Sequence, residues 1–311
     1  METSANNTDL SIVSTIYNDA KTVSLLVAEL SRQITPLGIS YEIILVNDNS
    51  PDSSESEIEK ACRQYSHVKG VSLARNYGQQ IAISAGMRFA SGRYVMLIDG
   101  DLENPVQAIP ELYLKIQEGY DIVYTVAKKR QSFLKRITSE AFWIVLCKLL
   151  QINIIKNQLM LRVMTRRAVD SFNTYGEISR SVAGINFDVG LKSTHVEVSP
   201  NKRISGKSNY TFFKRLNIFV DIILNLSLKP LNFVIFIGFF TFIFSVGISA
   251  YYLYRFFYFG SVPGYTSLIL SVFFFGSITI FTLGIVSRYL SLIYLEVRNR
   301  PLFIVKEKYN L

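Results

Sequence analysis

Asp99-Gly100-Asp101 closes an apolar run, Tyr94-Val95-Met96-Leu97-Ile98, and Glu103 follows two residues on. Carboxylates gathered at the carboxyl end of a buried strand suit a hard divalent cation. Mg²⁺ and Mn²⁺ take oxygen ligands and commonly bridge a carboxylate to substrate phosphates. An Asp-x-Asp triplet is also an ordinary turn, so its surroundings decide. Asn104-Pro105 breaks the chain directly afterwards, and Val106 to Glu118 reads as a helix with proline near its start. Strand, acidic loop and helix follow one another as a metal-assisted nucleotide-diphosphate site requires, and open α/β sheets bind ligands just outside the carboxyl ends of their strands.

The elements that must carry this loop are legible upstream. Leu10–Ser14 reads as a strand and Asn18–Leu30 as a helix. Glu42–Val46 is a continuous apolar run, as in a strand buried on both faces. Ser56–Tyr65 reads as helix, Val68–Leu73 as strand, Gln79–Ala90 as helix, Tyr94–Ile98 as strand and Asp121–Val126 as a further strand. This alternation predicts an α/β fold: a mainly parallel sheet with helices on both faces.

Two loops of this frame hold polar residues. Val46-Asn47-Asp48-Asn49-Ser50 ends the second strand, where Asp48 could accept hydrogen bonds from a base or ribose, or simply form a turn. Arg75-Asn76-Tyr77-Gly78-Gln79-Gln80 opens a helix whose N-terminus favours anions, and Gly78 permits close backbone approach.

Length and composition bound the rest. The 311 residues allow one sizeable domain plus an appendage, or two small domains. The net charge of +9 accompanies 22 Phe and 18 Tyr, concentrated after residue 230. In such a chain a basic balance fits an anionic membrane surface, and no interleaved basic and aromatic motif points to nucleic acid. Cys62 and Cys147 match no metal spacing and are expected to be reduced. Met1–Asp9 has no Lys or Arg, unlike a secretory signal. Gly206-Lys207-Ser208 is not a P-loop, since Asn201 stands where the first glycine belongs, and no G-x-G-x-x-G occurs. His67 and His195 lie in no nucleophile or metal pattern.

Residues 233–254 and 266–287 carry no charge. Each meets the roughly 20 apolar residues that cross about 30 Å of hydrocarbon. Two spans are expected, about 231–258 and 266–295, with Lys229, Arg298 and Arg300 placing both outer ends on the cytoplasmic side. Residues 138–155 read as an interfacial or a buried helix, preceded by the basic cluster Lys128, Lys129, Arg130, Lys135 and Arg136. The expected organisation is a cytosolic domain over 1–228, a transmembrane hairpin over 229–298 and a cytosolic tail over 299–311.

These stretches jointly resemble glycosyltransferase family 2, in its polyprenyl-phosphate branch. The resemblance is carried by Tyr17-Asn18-Asp19, by Val46 to Ser50, by Arg75 to Gly78, by Asp99 to Pro105 and by Gly119 to Tyr124. Arg162 to Val169, Gly206 to Tyr210 and Asn299 to Val305 extend it over almost the whole chain. It implies a GT-A fold and inverting transfer of a sugar from a nucleotide sugar, a UDP-hexose, to undecaprenyl phosphate. It implies that Asp48 contacts the base, that Asp99 lies near ribose or pyrophosphate, and that Asp101 and Glu103 hold Mg²⁺ or Mn²⁺. Arg203 would reach phosphate, so Asp99, Asp101 and Arg203 form the expected catalytic set. Tyr17, Arg75, Gly78 and Gln79 would join Asp48 and Asp99 around the donor. Lys128, Lys129, Arg130, Arg162 and Lys207 are the candidates for the acceptor phosphate. Partners are then a nucleotide sugar, a polyprenyl phosphate and the membrane, with no nucleic acid and a homo-oligomer left open. The chain departs from the pattern at Asn47, Glu103, Ala127, Met160, Asp188 and Asn209. Two other readings stand beside this one: transfer to a hydroxyl of a lipid-linked glycan with Asp188 as base, and a non-catalytic membrane scaffold.

Overall fold

The computed structural model describes residues 8–128, 158–174, 190–199, 264–298 and 300–311, with scattered helical residues between 236 and 258. Two compact units emerge. One comprises 1–141, 152–208 and 301–311, the other 142–151 and 209–300.

The first unit is built on an eight-stranded sheet. Its elements are β1 (Leu10–Ile16), α1 (Val23–Ile34), β2 (Tyr41–Asn47), α2 (Ser54–Gln64), β3 (Val68–Leu73), α3 (Gln79–Phe89), β4 (Tyr94–Asp99), α4 (Ile109–Ile116), β5 (Ile122–Ala127), β6 (Gln158–Thr165), α5 (Arg166–Thr174), β7 (Ser193–Val198) and, last in the chain, β8 (Val305–Tyr309). The order across the sheet is β7-β5-β6-β4-β1-β2-β3-β8. The pairs of β1 with β2, β1 with β4, β2 with β3 and β5 with β7 are parallel. The strand β6 runs antiparallel to β4 and β5, and β8 antiparallel to β3.

Alternation along each strand makes two cores. Ile12, Ile43, Leu45, Met96 and Ile98 face one side, where Leu26 and Leu30 of α1, Ile58 and Cys62 of α2, and Leu112 and Ile116 of α4 cover them. Val13, Ile44, Val46, Val95 and Leu97 face the other, under Ala82 and Met87 of α3 and Val169 and Phe172 of α5. Burial of each Leu, Ile or Phe contributes roughly 1.5–3 kcal/mol, and strands buried on both faces read as unbroken apolar runs.

The order of strand addition reverses at β1: β2 and β3 lie on one side of it, β4 on the other. Such a switch point is where open α/β sheets bind ligands. Ile16 sits opposite Asn47 and Thr15 opposite Asp99, so Tyr17, Asp48 and Gly100-Asp101 emerge at one edge.

The second unit contributes α6 (Tyr265–Val297). Phe274–Leu295 is the one helix among the described residues long and apolar enough to cross a membrane. The other expected span, 231–258, is represented only by scattered helical residues, and the expected interfacial helix, 138–155, lies outside the described residues. Within the expected tail over 299–311, Val305–Tyr309 forms an edge strand of the sheet.

Candidate active site

The acidic loop follows β4 and is shaped by its neighbours. At Gly100 a β-carbon would lie 2.6 Å from Ile16 Cδ1 and 2.9 Å from the Thr15 carbonyl, so only glycine lets the chain turn this close to β1. Leu102 adopts φ +60°, a left-handed conformation that a branched, buried side chain rarely takes. Residues held this way cost of order 1–3 kcal/mol and cluster where loops perform chemistry. The Asp101 carboxylate accepts the Glu103 amide at 3.0 Å.

Asp99 is partly buried and held from two sides. Its Oδ1 accepts from Gln79 Nε2 at 2.6 Å and its Oδ2 from Asn104 Nδ2 at 3.1 Å. Asn104 in turn accepts the Leu161 amide at 3.3 Å, tying the loop to β6. Burial lifts the Asp99 carboxyl to about 6. The Asn104 bond opposes the rise, Asp101 and Glu103 add to it by repulsion, and the Arg162 charge opposes it. Asp19, after β1, is raised by burial and then by Asp101. Neighbouring carboxylates thus disfavour the charge of Asp99 and Asp19, the condition that a divalent cation relieves. Among the described residues no three His, Cys, Asp or Glu side chains converge into a metal cage of their own. The all-oxygen set is of the kind that holds Mg²⁺ or Mn²⁺ through one or two carboxylates with substrate phosphates completing the shell.

The second loop is closed by Asp48, which is 3% exposed. Its two oxygens accept the Tyr77 and Gly78 amides, each at 2.8 Å. Burial raises its pKa, while those two bonds and the Arg75 charge oppose the rise. Gly78 has φ +90° with open space around it, so glycine is needed there for its backbone freedom. The Arg75 guanidinium lies 4.3 Å from the centre of the Tyr77 ring. The anion at the start of α3 is thus the protein's own Asp48. Gln79, the first residue of α3, reaches from this loop to Asp99 and joins the two halves of the site. Tyr17 stands 48% exposed beside them, followed by Asn18 at φ +61°, whose amide donates to Ser50 Oγ.

The candidates for the acceptor divide. Lys128 is exposed at the end of β5. Arg162 is 6% exposed. Its Nε donates to the Met160 carbonyl at 3.1 Å, and its Nη2 contacts the Leu159 carbonyl at 3.4 Å and Met160 Sδ at 3.7 Å. Its Nη1 is buried without a partner, and burial pulls its pKa down while Tyr124 and Asp99 oppose that. Lys129, Arg130, Asp188, Arg203 and Lys207 lie outside the described residues. Asn104 and Asp19 enter the site without having been singled out for it from the sequence. Asn104 stood next to the acidic loop, but its partner, the Leu161 amide, is 57 residues away.

Residues 11–175 match the model of glycosyl transferase family 2, and the chain belongs to that family. It is therefore a glycosyltransferase, and its full-length relatives place it with the polyprenyl-phosphate branch. An uncharacterized glycosyltransferase of Synechocystis sp. is 34% identical over 97% of this chain and 96% of that protein. The bactoprenol glucosyl transferase of Shigella phage SfII is 31% identical over 96% of this chain and 98% of its own. The undecaprenyl-phosphate 4-deoxy-4-formamido-L-arabinose transferase of Shewanella sediminis is 29% identical over 96% of this chain and 92% of its own. Among solved structures, glucosyl-3-phosphoglycerate synthase from Mycobacterium tuberculosis, in complex with Mn²⁺, uridine diphosphate and phosphoglyceric acid, matches with a TM-score of 0.53. The match has 18% identity and covers 70% of this chain and 78% of that one. That likeness concerns the GT-A fold.

Proposed function

We propose that this glycosyltransferase moves a hexose from UDP-hexose to the phosphate of undecaprenyl phosphate, with inversion at the anomeric carbon, at the cytoplasmic face of the membrane. The observation that carries the reading is the full-length likeness to transferases named for bactoprenol and undecaprenyl phosphate. The carboxylate loop at the switch point supports it.

In this reading Asp48 keeps a lone pair on each oxygen for donors on the base or ribose, while its amide bonds fix the loop. Asp99, held by Gln79 and Asn104, faces the ribose or pyrophosphate. Asp101 and Glu103 would hold Mg²⁺ or Mn²⁺, and Tyr17, Arg75 and Gly78 border the donor. The cation would neutralise charge on the departing nucleoside diphosphate. An acceptor phosphate oxygen attacks the anomeric carbon from the face opposite the diphosphate. The new carbon–oxygen bond forms as the bond to the diphosphate breaks. Because that oxygen is already anionic at neutral pH, no general base is required. Lys128, Lys129, Arg130, Arg162, Arg203 and Lys207 would orient phosphates and offset their repulsion.

The chain's course supports a two-span arrangement. It leaves the sheet unit, passes through the unit containing α6, and returns to the same sheet as β8. A segment that starts and ends on one side of a bilayer crosses it an even number of times.

The test uses purified full-length protein in detergent, Mg²⁺ or Mn²⁺, undecaprenyl phosphate and a panel of UDP- and GDP-sugars, with mass spectrometry of the lipid. The expected product is a lipid bearing one sugar through a single phosphate. Asp101→Ala should abolish it with the melting temperature unchanged, and retained transfer would remove the metal assignment. Absence of any lipid product from folded, nucleotide-binding protein would redirect the reading to a glycan hydroxyl, with Asp188→Asn as the next variant.

A further inference from the structure

We propose that the C-terminal segment 301–311 is a positioning strap for the donor-nucleotide loop 74–78. The proposal rests on the reading of Asp48 and that loop as the donor site. The strap follows α6 after three residues, since α6 ends at Val297 and the sheet unit resumes at Pro301. It bonds the loop itself. The Ala74 amide donates to the Ile304 carbonyl at 2.9 Å. Val305 then sits opposite Leu73, and the ladder runs on to Tyr309 opposite Gly70.

The strap is anchored beyond the ladder. Lys306 Nζ pairs with Glu55 of α2 at 2.9 Å. Asn310 Nδ2 donates to the Cys62 and Val68 carbonyls at 2.5 and 2.9 Å, from a left-handed backbone with φ +58°. On the other face the Arg88 guanidinium lies 5.5 Å from the Phe303 ring centre and Lys308 Nζ lies 4.8 Å from that of Phe89, both partners belonging to α3. The donor loop is therefore pinned twice. Ala74 is held by the strap and Tyr77 by Asp48, which leaves only Arg75 and Asn76 between the pins. With the first pin gone, the Tyr77 and Gly78 bonds to Asp48 and the Gln79 bond to Asp99 would be left to set where Arg75 stands.

The competing role is simpler: β8 covers the open edge of β3, as edge strands must be covered or blunted. Edge cover alone affects stability. A positioning strap also affects affinity for the nucleotide.

Two full-length variants separate them. Neighbouring residues of a strand point their amides in opposite directions, so in Val305→Pro/Lys306→Pro one proline removes a donor facing β3. Lys306→Ala/Asn310→Ala loosens the anchors more gently and serves where the proline pair fails to fold. Each is compared with wild type for UDP binding in Mn²⁺ by calorimetry and for hydrogen exchange of residues 74–78 and 304–309. We expect faster exchange in both segments and a Kd for UDP raised about fivefold, the equivalent of one main-chain hydrogen bond. Loss of protection over 304–309 with loop exchange and UDP affinity unchanged would reduce β8 to an edge cover and overturn the proposal alone. Wild-type protein that binds no UDP would overturn the donor-site reading and the strap's role together.

Discussion

At Gly100 a methyl group would press on Ile16 Cδ1 and on the Thr15 carbonyl, a backbone atom that cannot swing aside. Gly100→Ala should therefore cost about 1–3 kcal/mol of stability, the usual penalty of an overpacked position. It should also displace Asp101, so thermal unfolding and metal-dependent transfer should both decline. A variant that melts and transfers like wild type would show that β1 can yield here. The chemistry of this loop was readable because its carboxylates are contiguous in the chain. The state of each carboxylate was not. Asp99 owes its raised pKa to burial and to repulsion from Asp101 and Glu103, and Asp48 closes on amides 29 and 30 residues away. Sequence spacing offers Asp48 as a base contact or a turn, and the folded loop makes it a latch for Tyr77 and Gly78 as well.

Among the elements, those from β1 to β5 were legible through the alternation of strand and helix signals, clearest in the apolar runs of β2 and β4. The strand β6 was not, because Arg162 interrupts its apolar pattern. Folding nonetheless buries Arg162 against Met160 and Tyr124. Among the described residues no carboxylate bonds this buried guanidinium, and a buried charge without a paired opposite charge is costly. Met160→Glu would bring a carboxylate to where Sδ now contacts Nη2, and the melting temperature should rise by a few degrees. Transfer should fall, since the neutralised guanidinium would no longer attract a phosphate. Equal transfer in the stabilised variant would make Arg162 a structural residue. The edge strands β7 and β8 were missed for a different reason. Ser193–Val198 exposes alternate residues at one edge, and Val-Lys-Glu-Lys-Tyr at the other reads as a charged tail, because edge strands carry charge to avoid pairing with other chains.

For the whole molecule, the return of the chain to its first sheet constrains how any membrane segment can be threaded. In the proposed two-span arrangement, residue 261 would fall between the spans, on the extracytoplasmic side of the membrane. Ser261→Cys should then react with a membrane-impermeant maleimide added outside intact cells and resist it in sealed inside-out vesicles. The opposite pattern would mean that the helix ending at Val297 lies along the membrane. Cys62 should stay silent in this assay, since burial pushes its thiol to about 11. Hydropathy alone proposes both spans, and the return of the chain as β8 is what the proposed two-span arrangement has to accommodate.

The position of β8 also sets an order of events during synthesis. Ribosomes deliver the chain from its N-terminus, and domains usually fold as they emerge. Here the edge of β3 stays open until β8 is made, after all of α6. A nascent chain halted anywhere before residue 305 carries an uncovered strand edge, and its Ala74 amide lacks the carbonyl it finally meets.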